Sequence, residues 1–286
     1  MQFYRRTPAP PLSEFVELLW LYEGYSQPHE KERLLPDGSM ELVINLHEDQ
    51  TRLYDSQDTA KVTTLPGAIV VGAHSEFFVI DTAGQHSVAG VHFKPGGAFP
   101  FFDPPASELH NRLVSLDDLW GALAAQLRER LLEAPTPQAK LRILEETLLA
   151  QAARRLHRHP AVAFALGEFH GLPQTRSIAD VTAQIGLSAK RFIQLFSGEV
   201  GLTPKLFLPR APLSKGVAPG RPRASGPVGG GRGRRRLFRP SPFHPRLPRL
   251  FGTQSIHLYR PTHRTSQPCA PNRIASIFYN TNQPRS

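Results

Sequence analysis

The chain has 286 residues, with 34 Lys and Arg against 24 Asp and Glu and a pI of about 10.2, so it is long enough for two domains and basic enough to invite a nucleic-acid partner. No apolar run is long enough to cross a membrane and no signal-peptide pattern opens it, which makes a soluble cytoplasmic protein the expectation. A single cysteine, Cys269, excludes a disulfide framework within the chain.

Residues 1 to about 110 read as a compact strand-rich domain. Phe15 to Tyr22 is a dense apolar and aromatic segment. Met40 to Asn45 follows the turn signal Pro36-Asp37-Gly38 and reads as a strand. Ala68–Gly72, Phe77–Ile80 and Val88–Phe93 are further short strands separated by Gly, Asp or Ser, a pattern that suggests a small barrel or sandwich. His47, His74 and His92 fall in or near these strands. They lie far apart in sequence, without the close spacing of a metal pair, so no metal or cofactor is expected. No nucleophile motif, phosphate loop or paired-carboxylate signature appears, and the chain is read as a non-enzyme.

Pro104-Pro105 marks a boundary. Leu113 to about Leu132 and Ala139 to about Arg158 then read as helices, with Leu141, Leu144, Leu148 and Ala152 at helical spacing. Such helices could link two domains, dimerise, or pack against the barrel. Pro160–Phe169 is a further short helix.

The most specific stretch is Ser177–Lys205. Ser177 is a good N-cap that Asp180 can answer as a variant capping box. Ile178, Val181 and Ile185 recur at helical spacing, and Gly186 sits where the chain must turn left-handed. Ser188 caps a second helix, from about Ala189 to Glu199. Phe192, Phe196 and Val200 form its buried stripe, with Lys190, Arg191, Gln194 and Ser197 opposite. This is a helix-turn-helix pattern. Lys and Arg can donate to guanine edges or phosphates, and Gln can pair bidentately with adenine. Ser188, at a helix N-terminus, suits a phosphate.

These residues resemble the first helix-turn-helix of the AraC/XylS transcription regulators. The resemblance rests on the turn through Gly186-Leu187-Ser188, on Phe192 and Phe196 four apart, and on Gly-Leu-Thr-Pro-Lys at 201–205. It implies that Lys190, Ile193 and Gln194 read bases, with Arg191 and Ser188 nearer the DNA backbone. Leu35–Leu46 and Gly90–Phe102 also resemble the N-terminal sensory domain of one branch of these regulators, which implies a ligand pocket without naming the ligand. Pro160–Phe169 would be the first helix of the DNA-binding unit. The expected architecture is α+β: a β-rich sensor (1–110), a helical linker or dimerisation region (111–158), the first half of the DNA-binding domain (159–207), and a tail. Expected partners are double-stranded DNA, a small-molecule effector of unknown identity and, optionally, a second copy in a homodimer. The competing class is a small-molecule- or metal-binding β-barrel or enzyme with a degenerate C-terminus.

After Phe207 the composition breaks. Residues 208–286 hold 14 Arg, one Lys and no acidic residue, which leaves 19 basic and 24 acidic residues, a net −5, for residues 1–207. The high pI therefore belongs to the tail. Its irregular Pro and Gly argue for disorder. The family resemblance calls here for a linker helix and a second helix-turn-helix. Read one base later, Leu208–Val217 is compatible with CRVRRFQKVL, and Arg236–Leu258 with GYFDQAHFIRDFRAFSGLNPSTY. The second string carries the family's second recognition helix and its closing motif. The reading is a net one-base insertion near codons 207–208, with an out-of-frame tail. The alternative is a genuine basic tail that binds phosphate non-specifically. A chain with one of two reading motifs is expected to bind its operator poorly.

Overall fold

The computed structural model describes residues 2–26, 30–56, 58, 60–152, 156–170 and 177–208, and the backbone at 256–257. Ten strands build the N-terminal part: β1 (Gln2–Arg6), β2 (Val16–Glu23), β3 (Lys31–Leu34), β4 (Glu41–Asn45), β5 (Gln50–Tyr54), β6 (Val62–Pro66), β7 (Ala68–Val71), β8 (Phe78–Asp81), β9 (Ser87–Phe93) and β10 (Leu113–Ser115). They form two antiparallel sheets. One runs β1-β2-β9-β4-β7-β10. The other runs β3-β8-β5-β6, with the two-residue β11 (Ile256–His257) beside β3. Of the expected disordered tail, only Leu208 and this strand lie among the described residues.

Strand alternation sorts the core into two clusters. Leu19 and Leu21 of β2, Leu42 and Ile44 of β4, and Val91 and Phe93 of β9 share one face and join the larger cluster. The opposite-facing Leu18, Trp20, Tyr22 and Val88, with Tyr25, form a second, aromatic cluster. Trp20 lies flat over Gly90: a Cβ there would stand 2.3 Å from the indole Cζ2. Only glycine leaves that space.

Helices follow: α1 (Leu116–Trp120), α2 (Ala122–Glu133), α3 (Pro137–Ala152), α4 (Pro160–His170), α5 (Ile178–Ile185), α6 (Ala189–Val200) and α7 (Pro204–Phe207). The expected helix over 113–132 is corrected in two ways. Leu113–Ser115 adds an edge strand beside β7, so the sheet extends past the expected boundary at 110. Gly121 then breaks the helix into α1 and α2. The α3 helix is described as far as Ala152, and residues 156–159 are not helical, so the helix does not reach the expected Arg158. It packs against β1, β2 and β9. Leu127 and Leu131 of α2 and Leu141, Leu144 and Leu148 of α3 all enter the larger cluster. That cluster continues without a break into Val162, Ala165, Leu166 and Phe169 of α4, Val181 of α5, and Phe192, Phe196 and Val200 of α6.

Candidate functional site

Helices α5 and α6 form as their residues dictate. Ser177 accepts from the Asp180 N–H at 3.2 Å, and the Asp180 carboxylate accepts from the Ser177 N–H at 3.0 Å, completing the capping box. Gly186 ends α5 with φ 72°, a left-handed conformation that costs glycine little. Two residues later Ser188 caps α6, its Oγ accepting from the Arg191 N–H at 3.3 Å. Phe192, Phe196 and Val200 are fully buried.

Ser188, Lys190, Arg191, Ile193 and Gln194, the five residues singled out from sequence, are all exposed. Positions 190, 193 and 194 share one helical face, and Ile193 is 42% exposed, unusual for isoleucine in a helix of this length. No acidic side chain lies among them. The Ser188 oxygen is engaged as the cap acceptor, which leaves its hydroxyl proton for an outside acceptor such as a phosphate oxygen. Ser197, also on the polar side, turns its hydroxyl back to the Ile193 carbonyl at 2.7 Å and is therefore a weaker candidate for base reading.

The three histidines go to different places. His47 meets His86 with the two rings tilted and their centres 5.2 Å apart. His74 is buried, its Nδ1–H donating to the Gly72 carbonyl at 2.6 Å, and burial pushes its pKa below the usual imidazole value. His92 is a hydrogen-bonded group within the sheet. Its Nδ1 lies 2.7 Å from Glu41 Oε1 and its Nε2 3.7 Å from Asp37 Oδ2. Burial lowers its pKa, but the Glu41 hydrogen bond and the charges of Glu41, Asp37 and Glu17 outweigh that and raise it to about 9. Burial raises the Asp37 pKa against the pull of His92. The pairing of Glu41 with His92 follows from the register of β4 on β9. Among the described residues, no group of three or more His, Cys, Asp or Glu is arranged to hold a metal ion, and no helix is long and apolar enough to cross a membrane.

A cleft of about 200 Å³ opens between Leu53–Ser56, His74–Phe78 and Asn111–Leu113. It is smaller than sites for drug-sized ligands. His74, one of its lining residues, follows Ala73, and the Ala73 side chain lies against Gly201 at the end of α6.

Comparison with known proteins adds little beyond this geometry. Residues 4–115 match a family described only as a domain of unknown function, DUF6597, and the match ends where β10 ends. No curated protein matches the chain. Among solved structures, unsaturated-fatty-acid-bound ToxT from Vibrio cholerae aligns over 72% of this chain and 95% of its own, at 10% identity and a TM-score of 0.22. An overlap that loose assigns neither fold nor activity.

Proposed function

We propose that this chain is a ligand-responsive, sequence-specific DNA-binding transcription regulator of AraC type that carries one of the two reading motifs of that family. The observation that carries the reading is α6. Its apolar stripe is wholly buried, while Ser188, Lys190, Arg191, Ile193 and Gln194 stand exposed along one edge of a doubly capped helix-turn-helix. Lys190 and Gln194 would read base edges in the major groove, Ile193 would meet a thymine methyl, and Ser188 and Arg191 would hold phosphates. The β domain would sense a small molecule, and a second copy would supply a second reading helix. With few phosphate contacts per chain, operator affinity is weak and its salt dependence shallow. The frameshift near codons 207–208 accounts for the missing second motif, and resequencing the gene across codons 200–215 tests it.

DNA reading is tested by selecting from a pool of randomised duplexes with the full chain, then titrating the enriched sequence by gel shift. K190A and Q194A should each cost about 1–3 kcal/mol of preference for that sequence while leaving the helical signal intact. Recovery of no preferred sequence, or unchanged binding by both variants, would sink the proposal.

A further inference from the structure

The helix-turn-helix buries its apolar stripe partly on atoms that belong to the β domain, and the contacts fall at turns. Gly38, in the turn before β4, has φ +82°, and a Cβ there would stand 3.3 Å from Phe207 Cε2 and 3.8 Å from Leu202 Cδ1. Gly96, in the turn after β9, has φ +65°, and its Cβ position lies 3.0 Å from Val200 Cγ2 and 3.3 Å from Leu166 Cδ1. From the helical side, Gly201 approaches the Ala73 side chain at 2.9 Å and the Ala106 carbonyl at 3.2 Å by the same measure. Gly38 and Gly96 leave room for the Phe207 and Val200 side chains, and Gly201 lets its backbone approach the Ala106 carbonyl. Arg158 adds a polar clasp. Its Nη2 donates to the Gly96 carbonyl at 2.6 Å, and its guanidinium lies 5.6 Å from the centre of the Phe15 ring. Glu199 of α6 accepts from the His159 N–H at 3.0 Å, so the clasp segment is tied to α6 as well.

Helices of 8 and 12 residues are marginal on their own and need a tertiary face to persist. Here that face is shared: Phe196 packs on Phe169 and Phe207, and Phe207 in turn rests on the Gly38 turn.

We propose that the turns at Gly38, Ala73 and Gly96 and the Ala106 carbonyl form a docking seat on which α4–α7 hold their fold, so that the β domain and the helix-turn-helix open as one unit. The functional consequence rests on the DNA-reading assignment above. A ligand that stabilises the folded β domain suppresses opening of α6 by the same factor, 1 + [L]/Kd. Occupancy of the sensor is then felt at the reading helix without a dedicated relay.

Amide hydrogen exchange on the full chain across a urea series tests the seat directly. The expected result is that amides of β9 and of α6 converge on one opening constant with one urea dependence. Exchange of α6 through a smaller opening, with a shallower urea slope while β9 stays protected, would overturn the proposal. R158Q removes the clasp and should speed exchange in β9 and α6 by the same factor, of order tenfold. Acceleration confined to α4–α6 would again overturn it. The two readings fail separately. Coupled exchange in a chain that selects no duplex leaves the seat standing and ends the regulator assignment. Duplex selection with uncoupled exchange does the reverse.

Discussion

Residues 177–200 settle their end-of-helix polar groups among themselves, through Ser177, Asp180, Gly186 and Ser188, all within a few positions of the groups they serve. The β domain satisfies its groups at long range: the Glu41–His92 bond spans 51 positions. For apolar burial the order reverses. The β domain holds a cluster of its own around Trp20, Tyr22 and Tyr25, and its larger cluster is lined by strands and by α2 and α3. The helix-turn-helix has no comparable reserve, because Val200, Leu202 and Phe207 reach the β domain's turns. A segment can therefore be locally self-specified and still be unable to stand alone.

The strongest way to break this contrast is to empty the shared core. Phe196→Ala should cost about 3–5 kcal/mol, because the side chain is fully buried and meets Phe169, Phe192 and Phe207. In a urea titration followed by tryptophan fluorescence of the β domain, the midpoint should fall along with the helical signal. A helical transition that separates from the fluorescence transition would show two independent units.

A pH titration probes the long-range side. His92 has its pKa raised from 6.5 to about 9, so its folded form binds the proton more tightly than the unfolded chain. That contribution is fully present below about pH 6.5 and is lost as pH rises through 9. At about 1.4 kcal/mol per unit, it amounts to roughly 3–4 kcal/mol. Urea midpoints measured from pH 6 to pH 10 should decline over that window, and H92Q should flatten the decline. An H92Q slope equal to that of the natural chain would place the effect elsewhere.

Smaller effects sharpen the comparison from the local side. Ser177→Ala removes the acceptor for the Asp180 N–H and should cost about 1 kcal/mol, read as a drop in melting temperature with no change in the aromatic near-ultraviolet signal of the β domain. Lys190→Ala and Gln194→Ala should move stability by no more than about 0.5 kcal/mol, since both side chains are exposed. A larger loss would mean that these side chains hold the fold and are not free for DNA.

What could be read from the chain followed the same division. The α5–turn–α6 unit was legible almost residue by residue, because caps and a left-handed glycine are local chemistry. In the β domain only the apolar strands β4, β7, β8 and β9 stood out, along with the dense run that becomes β2. The strands β3, β5 and β6 did not, because Lys-Glu-Arg-Leu, Gln-Thr-Arg-Leu-Tyr and Val-Thr-Thr-Leu-Pro are partly exposed and carry charged or polar residues. Leu113–Ser115 merged with the apolar start of α1 and read as helix, since only pairing with β7 distinguishes it. The exposure of the five candidate reading residues followed from helical phase. The seat at Gly38, Gly96 and Ala73 did not, because no spacing in the sequence tells Phe207 which turn it will meet.

The close approach of Gly201 to Ala73 bears on modularity. Domains are rebuilt by joining a part of one protein to a part of another. In this molecule such a graft would cut through packed side chains. Helices α4–α7 moved to a foreign domain would carry Val200, Leu202 and Phe207 as an open oily face, and the β domain left behind would expose Ala73, Ala106 and the back of two turns. A change on one side of this joint must be matched on the other.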